Sequence, residues 1–373
     1  MQINRNTTGM QAGLTVATDK DGRQHCVVVV KGTFELGVDG EARLAEEQEP
    51  LVYADIHHGD PGTTSVRYEC DFAMHKPRTD VIVNGEAVSP TGRPVKQLAV
   101  ALEIGGARKE ILVVGDRHWE GGILGSKASE PLSFVTMPLV FERSFGGSDH
   151  SHPDTARQGT ELRNPVGVGF HKNSDLAAAN GKPLPNLEDP RNLVRKWSDT
   201  PGPVGFGTVG RSWQPRIKHA GTYDERWLAE RFPFLPEDFD TRYFLSAPSD
   251  QQLRFLQGGE VVRCLNMTSG GPFAFAVPKL DVPISFRFHD LDVPSPPNLD
   301  TLIVEPDRGR FLAVWRASAP LGRKLNALRE VVVGSLARRT IPLVDGKRRF
   351  QSLEELAAWN REEGALGPRN FRT

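Results

Sequence analysis

The sequence predicts a mainly β protein, with an antiparallel sandwich or barrel-like core, a loop-rich middle insertion and few short helices. Three observations point there. The β-branched run Val27-Val28-Val29-Val30 lies within the longer strand-like stretch Gln24–Leu36. Gly105-Gly106 separates the strand-like segments Gln97–Ile104 and 110–114, as the turn of a hairpin would. The 37 glycines and 28 prolines among 373 residues favour many turns and ordered loops without reaching a disordered composition.

Residues 1–145 read as an antiparallel β region. After Gln24–Leu36, the segment 65–74 places Val66, Tyr68, Cys70 and Phe72 at every second position, the pattern of a half-buried strand. Thr79–Val83 follows and runs into the turn pair Asn84-Gly85. Residues 146–247 form the loop-rich insertion, in which Gly, Pro, Asn and Trp recur. One short helix is expected in it: Thr222 and Glu225 make a capping box, Tyr223, Trp227 and Leu228 fall near one face, and Pro233 ends the pattern. The aromatics of this region, Trp197, Phe206, Trp213, Tyr223, Trp227, Phe232 and Phe234, are expected to form a small satellite core beneath the loops. Residues 248–335 return to strands near 260–267, 284–288, 301–304, 310–315 and 330–333, which complete the β core. Residues 336–373 form a tail, with a short amphipathic helix opened by Ser352 and Glu355, striped by Leu353, Leu356 and Ala357, and stopped by Gly364.

Charge excludes some partners. Lys and Arg total 46 against 47 for Asp and Glu, so no global field draws the chain to nucleic acid or an anionic membrane. Between positions 308 and 349, eleven basic residues face two acids, Glu330 and Asp345. Strand alternation would scatter them over both faces, which favours a solvated face or an acidic protein partner over nucleic acid. Three widely spaced cysteines, Cys26, Cys70 and Cys264, fit neither a disulfide framework nor a zinc knuckle, and they suit a reducing compartment. No apolar leader or membrane-length stretch is present in the sequence, and a cytoplasmic location is expected.

Motifs of catalysis do not assemble. Gly205-Phe206-Gly207-Thr208-Val209-Gly210 matches the dinucleotide pattern G-x-G-x-x-G, but Pro201 and Pro203 precede it and Pro215 follows, where a strand and a helix are required. His150 and His152 with Asp149 and Asp154, and likewise His57 and His58 with Asp55 and Asp60, lack a recognised ligand spacing. No G-x-S-x-G elbow occurs. The expectation is a non-enzymatic protein without cofactor or metal. A metal-assisted hydrolase using the His150 region and a carbohydrate-binding β module using the tryptophans are the alternatives.

Six strings occur in order. They are Phe141-Glu142-Arg143-Ser144-Phe145-Gly146-Gly147; Asn164-Pro165-Val166-Gly167-Val168-Gly169-Phe170; Leu184-Pro185-Asn186; Gly205-Phe206-Gly207 through Trp213-Gln214-Pro215-Arg216; Gly221-Thr222-Tyr223-Asp224-Glu225-Arg226-Trp227; and residues 239–244 before Ala247-Pro248. Together they resemble the bacterial domain-of-unknown-function family 2169, which accompanies type VI secretion spike and effector genes. The resemblance runs from the first strands to about Trp315 and does not reach the tail. It implies a cytoplasmic chaperone or adaptor that holds an effector toxin and helps load it onto the secretion spike, a valine-glycine repeat trimer (VgrG) or its PAAR tip. It implies no catalytic or ligand residues. The matched residues Arg143, Phe145, Asn164, Pro165, Trp213, Arg216, Tyr223, Asp224 and Trp227 are candidates for structure or for protein binding.

Overall fold

A computed structural model describes residues 2–335 other than 38, 123–124, 173–178, 290 and 323–327, together with residues 343–344 and 347–348. The expected tail helix and part of the basic segment lie outside the described residues.

In chain order the strands of the three main sheets are β1 (Ile3–Asn6), β2 (Gln11–Thr18), β3 (Gln24–Leu36), β4 (Ala42–Leu44), β5 (Thr79–Val83), β6 (Gln97–Ile104), β7 (Ala107–Val114), β8 (Leu187–Glu188), β9 (Gln252–Leu253), β10 (Val261–Leu265), β11 (Phe273–Ala276), β12 (Ile284–Phe288), β13 (Asp292–Ser295), β14 (Asn298–Glu305), β15 (Arg310–Pro320) and β16 (Leu328–Val333). The largest sheet runs β9-β5-β14-β15-β3-β2, with β4 pairing residues 34–36 of β3 beyond the stretch that β2 takes. A second sheet runs β8-β7-β6-β10-β11 and a third β1-β16-β12-β13. The chain is therefore mainly β, as expected, and its sheets remain open: no barrel closes.

All three sheets feed one core. Val28 and Val30 of β3, Val100 and Leu102 of β6, Phe275 of β11, Phe286 of β12 and Phe311 of β15 are all buried in it. Phe311 stacks on Phe275 at 4.0 Å between centroids and on Phe34 at 5.1 Å. The glycine-pair hairpin is as expected, with Ala107 opposite Ile104 and Val114 opposite Gln97.

The pairing is not uniformly antiparallel. β5 lies parallel to β14, with Asp80 beside Thr301, and β1 lies parallel to β16. Each of these partners is joined by a long connection, which permits parallel pairing; the tight turns between neighbours give antiparallel pairs.

The large sheet is buried on both faces, which explains why Val27 through Val30 are all inaccessible rather than alternating. Val28 and Val30 face the shared core, and Val27 and Val29 face Leu51, Phe72 and Met74 on the other side. That outer cover is the segment expected to be a strand at 65–74. Only residues 66–68 are strand, pairing with residues 56–57. The rest crosses the sheet held by charges. Lys31 Nζ, in the middle of β3, reaches Asp71 Oδ2 at 3.1 Å, and the same oxygen accepts the Val52 N–H at 2.7 Å. Lys76 bonds Asp80 of β5 at 2.8 Å, Tyr68 bonds Glu305 of β14, and Arg316 of β15 donates to the Asp71 carbonyl at 2.6 Å. The period-two pattern of this segment imitates a strand. Its charged residues, however, have their partners on the sheet surface, because a buried charge without one is costly.

Two residues of the basic run from Arg308, Arg310 and Arg316, are accounted for in the same way, whereas Arg329 is exposed. Arg316 is buried against Asp300, and Arg310 bonds Glu305 and Glu49. These arginines are structural ion pairs and do not make a solvated face.

Candidate functional site

Five of the six matched strings meet in space; the fifth, residues 221–227, stands apart. Residues 141–143 form a 3-10 turn, and Phe145-Gly146 pairs in parallel with Val168-Gly169. Asn164, fully buried, donates its side-chain amide to the carbonyls of Phe141 at 2.8 Å and Phe145 at 3.1 Å. Its own carbonyl accepts the N–H groups of Gly147 and Gly167. Pro165 follows at the second position of the turn closed by the Gly167 bond, where its fixed φ is favourable. Arg143 bonds Asn186 Oδ1 at 3.1 Å, and the Asn186 N–H returns to the Arg143 carbonyl at 2.8 Å. Phe145 is buried beside them.

Trp213 packs edge-on against Phe141 at 5.4 Å. The glycines of the G-x-G-x-x-G string serve this packing. A methyl group on Gly205 would strike the Phe141 ring, and one on Gly210 would strike the Trp213 indole. Arg216 then ties three loops: Nε donates to the Tyr243 carbonyl and Nη1 to the Val209 carbonyl, each at 2.8 Å, and Nη2 bonds the Glu69 carboxylate. Arg211 bonds the same carboxylate at 2.9 Å. Burial alone would raise the Glu69 carboxyl, but Arg216, Lys76 and Arg211 outweigh it and hold it below its ordinary value of 4.5.

Arg143, Phe145, Asn164, Pro165, Trp213 and Arg216 therefore belong to one knot that fastens the loops of the middle region to one another and to the outer cover. Their polar groups are directed mainly at backbone carbonyls and at neighbouring carboxylates. Most of the knot is closed to solvent.

Tyr223, Asp224 and Trp227 lie apart: Trp227 is on the helix α1 (Glu225–Glu230), and Tyr223 and Asp224 lead into it. The expected capping box is replaced. Asp224 is the N-cap, accepting the Trp227 N–H at 2.8 Å, while Thr222 donates its hydroxyl to Asp238 at 2.7 Å and its N–H to the same carboxylate at 2.9 Å. Aspartate is as good a cap as any residue, and the Asp238 carboxylate attracts the Thr222 donors more strongly than a helix terminus would.

The expected satellite core divides. Phe206 joins the main core; Trp197 packs with Trp119, Leu184 and Val194; and Trp213 joins Phe141. The remaining aromatics are not covered. Tyr223 is 53 % exposed, Leu228 61 %, Phe232 62 % and Phe234 43 %, and α1 buries none of its residues. Tyr223 and Phe232 flank the half-buried Trp227, whose ring they meet at 4.7 Å and 5.7 Å, both edge-on, and with the exposed Leu228 and Phe234 of the same segment they make up an apolar platform. The platform is held in place. Trp227 Nε1 donates to the Phe234 carbonyl at 2.9 Å, Arg231 donates to the carbonyls of Lys20 and Leu235, and the Phe234 ring lies against Gly22 in the turn between β2 and β3. Partial burial, with Tyr243 and Asp238 nearby, raises the Tyr223 phenol, which stays protonated at neutral pH.

Other sequence candidates are dispersed. His150 and His152 occupy a polar turn, His150 facing Gln158 and His152 accepting the Asp154 N–H. Among the described residues no group of three or more His, Cys, Asp or Glu is arranged to hold a metal. No helix among them is long and apolar enough to cross a membrane.

An exposed platform is not legible in sequence, since a one-sided apolar stripe shows that a helix has an apolar face and not what covers it. No curated protein and no solved structure matches the chain. A family model does match, over residues 21–316, the region that contains the knot and the platform: the chain belongs to DUF2169, described as an uncharacterized protein conserved in bacteria.

Proposed function

We propose that this protein is a cytoplasmic adaptor that binds a type VI secretion effector and helps load it onto the spike, through VgrG or a PAAR tip. The observation that carries a binding role is the aromatic platform: Tyr223, Leu228, Phe232 and Phe234 stand exposed in the same segment as Trp227, on a support fixed by hydrogen bonds. Tryptophan and tyrosine presented with little rotamer freedom are the residues that dominate protein interfaces. An apolar cluster left in water is favourable to retain only where something covers it during function. The secretion assignment draws on the resemblance of the six strings, and family membership is consistent with it.

In this reading the adaptor covers an apolar surface of the effector and keeps it from aggregating until the spike binds. The test is affinity capture of the tagged full chain from a host expressing its secretion system, followed by mass spectrometry and coexpression. Recovery of one toxin-like protein with spike components, and a rise in that toxin's soluble yield on coexpression, are expected. Absence of co-purification together with unchanged solubility overturns the proposal.

A further inference from the structure

Beside the aromatic platform lies a cleft of about 520 Å³ lined by Asp19, Asp21, Glu237, Asp238 and Asp240, with Lys20 as the one cation among the charged groups there. Three of these acids are engaged. Asp19 accepts N–H groups of its own turn and meets His25, Asp238 holds Thr222, and Asp240 holds Arg242. The carboxylates of Asp21 and Glu237 have no hydrogen bond or ion pair among the described residues. Platform and cleft are continuous, because Thr222 of the platform's entry bonds Asp238, and Arg231 bonds the Lys20 carbonyl.

We infer that platform and cleft form a single docking surface for a segment of a protein partner in which lysine or arginine side chains stand beside apolar ones. This rests on the reading of the chain as a protein-binding adaptor and specifies the chemistry of what it binds. The apolar side chains of the segment cover Leu228, Phe232 and Phe234. Its cations reach Asp21 and Glu237, and the faces of Trp227 and Tyr223 attract them as well. Charge complementarity selects this occupant. With Asp240 paired to Arg242 and Asp19 to His25, the lining still sets Asp21, Glu237 and Asp238 against Lys20 alone, so an acidic segment would be repelled, and the same field disfavours phosphate-bearing nucleic acid and anionic lipid. The two unpaired carboxylates gain partners on binding without any existing ion pair being broken.

The experiment is selection of a display library of random peptides on the full-length protein, with affinities of the selected peptides then measured by fluorescence anisotropy at two salt concentrations. Enrichment of Lys or Arg together with aromatic or aliphatic residues, and depletion of Asp and Glu, is expected. Trp227→Ala is expected to weaken the selected peptides about tenfold or more, the size of a hot-spot truncation. Tyr223→Ala, at an exposed position, gives a second variant should Trp227→Ala loosen the helix. The Asp21→Lys/Glu237→Lys variant is expected to weaken them by a similar factor at low salt and less at high salt. Failure to enrich any peptide, enrichment of acidic or neutral peptides, or binding unmoved by all of these variants overturns the inference. The adaptor reading fails separately: if wild type and the Asp21→Lys/Glu237→Lys variant capture an effector equally, the adaptor stands and this surface does not. If selected basic peptides bind the platform but no effector is captured from cells, the surface stands and the adaptor reading falls.

Discussion

Arg216 separates a structural role from a binding role. Its guanidinium donates to two carbonyls and to Glu69, and it is buried. Removing one partner of a buried ion pair costs roughly 3–5 kcal/mol, because the other charge is left without compensation. In Arg216→Met, Arg211 remains on the same Glu69 oxygen, so that contribution sits at the lower end of the range. The carbonyls of Val209 and Tyr243 lose their donors at roughly 1 kcal/mol each. The sum is a destabilisation of about 5 kcal/mol. Arg216→Lys keeps the charge but reaches one of the three acceptors, and about 2–3 kcal/mol is expected. Urea denaturation followed by circular dichroism measures both, and the order Met worse than Lys worse than wild type is required. If Arg216→Met shifts stability by less than about 1 kcal/mol while effector capture is lost, Arg216 is a contact residue, and the account of the knot as an internal fastening is wrong.

Further outcomes follow from the same geometry. Asn164→Ala takes the side-chain donor from the buried Phe145 carbonyl and leaves the Phe141 carbonyl with the Ser144 N–H alone; it is expected to lose about 1–3 kcal/mol in the same denaturation assay, with Asn164→Asp worse because a carboxylate would face those oxygens. Gly147, at φ +93°, admits no side chain, since a Cβ would collide with the Gly167 carbonyl; Gly147→Ala should lower the melting temperature markedly and reduce soluble yield. The folded-state depression of Glu69 contributes stability that is present above pH 4.5 and is lost as pH falls through the lower folded value. Glu69→Gln should therefore flatten the slope of stability against pH below 4.5, as read by denaturation at a series of pH values. Burial pushes the Cys26 thiol up to about 11 and the Cys264 thiol up to about 12, while Cys70 is only half-buried. A thiol reagent at neutral pH should label at most Cys70 in the native protein and all three cysteines after unfolding.

The parts of the fold that the sequence announces are those set by neighbours along the chain. The Val27 to Val30 run and the Gly105-Gly106 turn each depend on a dozen residues, and both appear where expected. The parallel register of β5 on β14 depends on residues more than two hundred positions apart, and no local pattern encodes it. The outer cover misled for a related reason. Val66, Tyr68, Cys70 and Phe72 alternate as a strand would, but Asp71 and Lys76 are committed to Lys31 and Asp80, whose positions on the sheet only the assembled fold reveals. In the candidate site, an arginine and a tryptophan in an irregular segment describe an interface anchor and a loop fastening equally well. Arg216 and Trp213 are placed in the knot, and Trp227 stands on the platform. The Thr222 cap was displaced by Asp238, sixteen residues downstream, a competitor that the local motif cannot register.

The strand order of the large sheet bears on how the chain is made. The two strands that fill its centre, β14 and β15, are the last of that sheet to leave the ribosome, and they lie between β5 and β3, which emerge among the first. Until residue 320 is synthesised, β3 and β5 have a gap two strands wide between them, with open edges and an apolar face on each. The nascent amino-terminal half can pair β2 with β3 and β6 with β7 but cannot join β3 to β5, and completion of the large sheet waits on closure of contacts far apart in the sequence, which is slow. A chain shortened before β14 is accordingly expected to aggregate rather than yield a smaller working module, and dissection of this protein has to retain the sheet's late centre.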